Sequence, residues 1–102
     1  MNVKKIMTGD TLTVIIDGRI DTNTAPELLS EIEPSLNDIS ALVLDFKGVN
    51  YVSSAGLRVL LSLHKAMSAK GGMKLLNVTS EVNDVFEITG FSEILNYEKG
   101  ES

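Results

Sequence analysis

The sequence predicts one α/β domain, a mostly parallel sheet with an antiparallel N-terminal edge hairpin and crossover helices. Three observations lead there. Segments dense in β-branched and aliphatic residues alternate with segments whose apolar positions recur at helical spacing, the pattern of right-handed β–α–β crossovers. The first two strand-like segments are separated only by Thr8-Gly9-Asp10, which is turn chemistry and predicts a hairpin. The 102 residues match the size of one compact unit, and composition is even along the chain, without linker, low-complexity tract or repeat. The domain is therefore expected to span residues 1–102, with a loose tail from about Glu98.

Asn2 to Met7 reads as a short edge strand, and the β-branched stretch Thr11 to Asp17 as its partner. Gly18 to Asn23 is a polar loop. A helix opens at Thr24, which can cap it, with Glu27 three residues on to complete a capping box. Leu28, Leu29, Ile32 and Leu36 follow at helical spacing, and Pro34 either ends or kinks this helix. The continuous apolar run Ala41 to Phe46 predicts a central strand buried on both faces. After a loop, Leu57, Leu60, Leu61, His64 and Met67 form the stripe of a second helix, widened by Val59, Leu63 and Ala66, and Gly71-Gly72 stops it. Met73 to Val78 is another buried strand. Ser80 is expected to cap a third helix that turns Val82, Val85, Phe86 and Ile88 inward and ends at Gly90. Phe91 to Leu95 reads as a short turn, and Ile94 to Tyr97 as a final strand. Which face of the sheet the helices cover is left open.

Composition excludes much chemistry. Hydrophobic residues make up 43% and charged residues 23%, an ordinary globular balance. There is no cysteine and only one histidine, so disulfides, thiol redox chemistry and the usual zinc ligand sets are ruled out, and neither metal nor other cofactor is expected. Fourteen acidic against nine basic residues leave a formal charge of −5, which disfavours nucleic acid and anionic membrane as partners. The apolar runs are too short to span a bilayer and no signal-peptide core follows Lys4-Lys5, so the expected address is the cytoplasm.

Functional loops of α/β sheets gather at the C-terminal ends of the strands. Two such loops, Gly18 to Thr24 and Val49 to Leu57, are rich in hydroxyls and each runs into a helix start. A serine hydrolase would need Gly-x-Ser-x-Gly, but residues 52–56 read Val-Ser-Ser-Ala-Gly. His64 lies about ten residues beyond Ser54 on the same helix, roughly 15 Å at about 1.5 Å per residue, too far for a general base. Phosphate-loop and dinucleotide glycine motifs are absent. Asp17, Asp21 and Asp45 near strand ends lack the companion lysine and the acidic pair of a magnesium-binding receiver.

Three segments, in order and at matching spacing, carry a resemblance. Tyr51-Val52-Ser53-Ser54-Ala55-Gly56-Leu57-Arg58-Val59-Leu60-Leu61 looks like the central motif of STAS domains of the anti-sigma factor antagonist type. Gly18-Arg19-Ile20-Asp21-Thr22-Asn23-Thr24-Ala25 resembles that family's Gly-x-Leu/Ile-Asp-x-x-Thr-Ala segment. Gly71-Gly72-Met73-Lys74-Leu75, running on into Val82 to Gly90, is similar to its last strand–helix unit. The resemblance spans essentially the whole chain and implies a STAS-like domain that is a switch, not an enzyme. It implies two partners, an anti-sigma factor serine kinase, bound by the unphosphorylated form, and a resetting serine phosphatase. Ser54 matches the phosphorylated position, Asp21 and Thr24 the loop beside it, and Gly56 the motif glycine. Ser53 stands where many members carry aspartate, which leaves open which serine is used.

The residues themselves allow this reading. Ser54, just ahead of an apolar helical run, is expected at the helix N-cap, where it would either only cap or also accept a phosphate. Arg58 lies one turn on and leans toward the helix start, within reach of a phosphate or simply solvated. Gly56 lets a neighbouring loop or a partner approach the backbone. Asp21 is expected to be well solvated, to add negative potential and to matter for recognition more than for stability. The alternative function on the same fold is an unphosphorylated docking module in a signalling or transport assembly. A small enzyme using an Asp21–Ser54 cleft is the remaining option.

Overall fold

The computed structural model describes residues 1–100. The elements run β1 (Asn2–Thr8), β2 (Thr11–Asp17), α1 (Thr24–Ile32), a 3-10 turn (Glu33–Asp38), β3 (Ala41–Gly48), α2 (Ser54–Ser68), β4 (Met73–Val78), α3 (Ser80–Thr89), a 3-10 turn (Phe91–Glu93) and β5 (Tyr97–Lys99). The five strands lie in sheet order β1-β2-β3-β4-β5. β1 pairs antiparallel with β2 through the expected hairpin, Val3 opposite Ile16 and Lys5 opposite Val14. The other pairings are parallel.

The sheet order decides where the helices go. Each parallel strand is laid beside the previous one in the same direction, and right-handed crossovers in one direction put every helix on one face. Burial follows. Leu12, Val14 and Ile16 of β2, Leu42, Leu44 and Phe46 of β3, and Met73 and Leu75 of β4 are buried toward the helices. The residues between them, such as Thr13, Ile15, Val43 and Leu76, are only half-buried. The expectation that β3 and β4 are covered on both faces is corrected, because among the described residues no helix layer lies on the second face. Near the end of β4, Asn77 adopts a left-handed φ of 57°. The register to β5 shifts between Leu75 and Val78, and Val78 turns back into the core.

Several helix details also differ from expectation. Pro34 ends α1: the chain tightens into a 3-10 turn with the proline at its start, where a missing N–H removes no intrahelical bond. α2 buries Leu57, Val59, Leu60, Leu63 and Met67, but Leu61 and His64 are half-buried and Ala66 is exposed. α3 is capped by Thr79, whose side chain accepts the Val82 N–H, and not by Ser80. Ile88 is 86% exposed instead of inward, since it stands two residues, about 200° of turn, from buried Phe86. Asn83 takes an inner place, accepting a 2.7 Å hydrogen bond from the Tyr97 hydroxyl. Gly90 closes α3 in a left-handed conformation, φ 83°, as expected of a C-cap glycine.

The final strand lies later than expected, at Tyr97–Lys99. Tyr97 packs edge-on against Phe86 with ring centroids 5.1 Å apart. The tail is accordingly less loose than the sequence suggests. Glu98 reaches Lys74 at 2.6 Å, and the Gly100 N–H donates to the Val78 carbonyl. The last two tail positions, 101 and 102, lie outside the described residues.

Candidate functional site

The two hydroxyl-rich loops meet at the C-terminal edge of β2 and β3. One parallel bridge joins them, Ile20 to Val52. The Ile20 N–H donates to the Tyr51 carbonyl at 3.0 Å, and the Ser53 N–H returns to the Ile20 carbonyl at 2.8 Å. Ile20 and Val52 are both buried, so apolar packing and hydrogen bonds hold this junction together. A third loop is tied in by Thr79, whose hydroxyl donates to the Val49 carbonyl at 2.8 Å.

Gly56 sits where the loops are tightest. A Cβ there would stand 2.8 Å from both Ile20 Cγ2 and Val52 Cγ1 and 3.1 Å from the Ile20 carbonyl oxygen. The glycine thus admits the neighbouring loop, one of the two approaches its position suggested. It has no left-handed φ, so the requirement is for space alone.

The serine pair is divided between two jobs. Ser53, not Ser54, is the N-cap of α2: it has extended backbone, φ −83° and ψ 174°, and its Oγ accepts the Gly56 N–H at 3.2 Å. The expected cap is therefore corrected by one residue, because the Ile20–Val52 bridge keeps Ser53 extended and helical geometry begins after it. Ser54 is the first residue of α2. It is exposed, and its hydroxyl takes no hydrogen bond among the described residues. Arg58, four residues on, shares that helix face and is exposed without an ion pair among the described residues.

Asp21 and Thr24 are placed side by side but do not act as expected. The Thr24 side chain does not cap α1, and Asn23, at the N-cap position, makes no side-chain bond. The Asp21 carboxylate does this work instead. Its Oδ1 accepts the Asn23 and Thr24 N–H groups, each at 2.9 Å. The Thr24 hydroxyl accepts the Asp21 N–H at 2.8 Å and donates to the Arg19 carbonyl at 2.6 Å, closing the loop on itself. The Thr24 N–H above all, then the Asn23 N–H, the Thr24 hydroxyl and Arg19, hold the Asp21 carboxyl below its ordinary value against an opposing desolvation effect. Asp21 is thus a structural cap, which corrects the reading of a freely solvated carboxylate. Glu27, expected in a capping box, makes no hydrogen bond to the helix start among the described residues.

Two residues not among the sequence candidates complete the face. The Arg19 guanidinium lies over the Tyr51 ring, 4.1 Å from its centroid, with Nε 4.0 Å from Asp21 Oδ2. Their identities alone do not signal this; the Ile20–Val52 bridge sets them beside each other. Among the described residues no group of three or more His, Asp or Glu side chains is arranged to hold a metal ion, and no helix is long and apolar enough to cross a membrane.

The sheet order runs without reversal, so the described strands contain no switch point between diverging crossovers. A one-sided α/β sheet with two paired loops at the C-terminal edge of its strands is the class this geometry defines. The STAS domain model matches residues 2–101, and the chain belongs to the STAS domain family. It is 31% identical over 97 residues to the anti-sigma-B factor antagonist of Bacillus subtilis, covering 94% of this chain and 89% of that one. The fold is shared with the anti-sigma factor antagonist SpoIIAA in its unphosphorylated form, with a TM-score of 0.80 at 19% identity over 96% of this chain and 89% of that one. It is also shared with the Bacillus cell fate determinant SpoIIAA in the phosphorylated form, with a TM-score of 0.73 at 18% identity over 96% of this chain and 92% of that one.

Proposed function

We propose that this chain is an anti-sigma factor antagonist, a binding protein and not an enzyme, whose Ser54 is the switch. Unmodified, it binds a cognate anti-sigma factor that is also a serine kinase. Phosphorylation of Ser54 ends that binding, and a serine phosphatase restores it. The observation that carries this reading is the contrast within the serine pair. Ser53 is half-buried and occupied as a helix cap, whereas Ser54 presents a free hydroxyl to solvent on a face built from two locked loops. Similarity to relatives named as anti-sigma factor antagonists supports the partner class.

The chemistry belongs to the partner. In the transfer, Ser54 Oγ forms a bond to the γ-phosphorus of ATP, the bond from that phosphorus to the ADP oxygen breaks, and the hydroxyl proton goes to a base on the kinase. Neither of the two candidate bases is free to activate the hydroxyl: the Asp21 carboxylate is committed to the α1 N-terminus, and His64 lies far along α2. Modification takes the formal charge from −5 to about −7. A kinase surface fitted to the neutral hydroxyl offers that charge no counter-ion of its own, and burying it there is unfavourable, so the complex dissociates.

The test is phosphopeptide mapping after incubation with the cognate kinase and ATP. Phosphate on Ser54 is expected, together with constitutive binding by Ser54→Ala and weak binding by folded Ser54→Asp. A phosphate on Ser53, or on neither serine, would overturn the assignment in favour of an unphosphorylated docking module.

A further inference from the structure

Arg19 is the cation of the Gly18 to Asn23 loop, whose backbone pairs with the segment that leads into Ser54. The Ile20–Val52 bridge sets Arg19 beside Tyr51, and the Ser53 N–H bonds to the carbonyl of Ile20, the next residue after Arg19. The turn that carries Ser54 is therefore stitched to the segment that carries Arg19. Two weak contacts hold the guanidinium. One is an exposed cation–π contact with Tyr51, a modest interaction where water competes. The other is an approach to Asp21 Oδ2 at 4.0 Å, the outer limit of an ion pair, made by a carboxylate whose other oxygen already serves the α1 N-terminus. A phosphoserine dianion offers three strong acceptor oxygens and a geometry that a guanidinium fork grips with two parallel hydrogen bonds.

We propose that Arg19 is the reader of the Ser54 phosphate: on modification its guanidinium leaves the Tyr51 ring and pairs with the phosphate. The proposal rests on Ser54 being the modified residue and adds a consequence for the whole face. Part of the new charge is neutralised within the chain, and Tyr51, a residue already 40% exposed, loses the cationic cover of its ring. A partner fitted to the Arg19-covered ring then meets a different aromatic surface as well as a different charge. Arg58, on the Ser54 side of α2, is the second cation bordering the phosphate, and Asp21 is the nearby anion that opposes it.

The test uses the full chain with phosphoserine installed at position 54 during synthesis, so it needs no kinase. The phosphorus-31 shift is followed against pH, and the Tyr51 ring protons are recorded with and without the phosphate. In the parent chain the phosphate is expected to titrate below the ordinary second value of about 6, and Arg19→Gln to raise that value. The Tyr51 ring signals are expected to move on phosphorylation toward those of unmodified Arg19→Gln. Arg19→Lys, which keeps the charge without the fork, should fall between the two. Identical titration in the parent and Arg19→Gln, or Tyr51 signals indifferent to the phosphate, would overturn the proposal. So would a titration restored by Arg58→Gln and untouched by Arg19→Gln. Failure of a kinase to modify Ser54 removes the proposed function but leaves these signals as they are, so the two readings fail separately.

Discussion

Ser53 Oγ accepts the Gly56 N–H at 3.2 Å, which makes Ser53 the cap of α2 and leaves the Ser54 hydroxyl without a hydrogen bond among the described residues. Two adjacent serines of identical chemistry thus differ in what their loss removes. Ser53→Ala deletes a cap and should cost about 1 kcal/mol. Ser54→Ala deletes an exposed hydroxyl and should cost less than about 0.5 kcal/mol. Urea unfolding of the two variants measures the difference, and the reverse order would return the cap to Ser54.

Asp21 holds the α1 N-terminus through its ionised form. Asp21→Ala should lower Tm by about 5 °C at neutral pH, the loss of a good cap in a domain of this size. Asp21→Asn keeps an acceptor oxygen and should lose less. The folded carboxyl is held below its reference value of 3.8, so its contribution is present above that value and is lost as pH falls through the folded one. The Tm gap between the parent and Asp21→Ala should be constant near neutrality and close in acid. A gap that persists unchanged at low pH would show that the ionised cap is not its source.

Gly56→Ala tests the junction of the two loops. The added methyl would overlap Ile20 Cγ2 and Val52 Cγ1 at 2.8 Å. Overpacking of that kind costs about 1–3 kcal/mol, more than the helix-propensity gain of at most about 1 kcal/mol for replacing glycine. Net destabilisation is expected in thermal unfolding, together with shifted amide resonances at Ile20, Tyr51 and Ser53. A more stable variant with unmoved resonances would refute the close fit.

Tyr97→Phe removes the hydroxyl that donates to Asn83 Oδ1 and should cost about 1 kcal/mol. Burial first, then the charges of Glu87 and Glu93, push the Tyr97 hydroxyl above its ordinary value of 10.0. A raised folded value means that its contribution is complete below pH 10 and is lost as pH rises through the folded value. The parent should therefore lose stability in alkali faster than Tyr97→Phe. Parallel stability profiles above pH 10 would contradict this.

The order of elements, the hairpin and the core stripes of α2 were legible in the residues because they depend on local preference and periodicity. Thr8-Gly9-Asp10 turns whatever lies beyond it, and Leu57, Leu60, Leu63 and Met67 line one side of any helix they form. The segments around Asp21, Ser54 and Gly56 were likewise visible, through the spacing that carries the family resemblance. What stayed hidden depends on partners far away in sequence. A continuous apolar run such as Ala41 to Phe46 looks the same whether one face or two are covered, and the number of covered faces follows from sheet order. The caps moved by one residue in α2 and α3, and passed from Thr24 to Asp21 in α1. A hydroxyl's role there depends on where helical backbone begins, which in α2 the Ile20–Val52 bridge sets from outside the helix. Arg19 and Tyr51 are 32 positions apart, and no local rule joins them. Their stacking exists because two parallel strands end side by side, a relation that only the closed sheet creates.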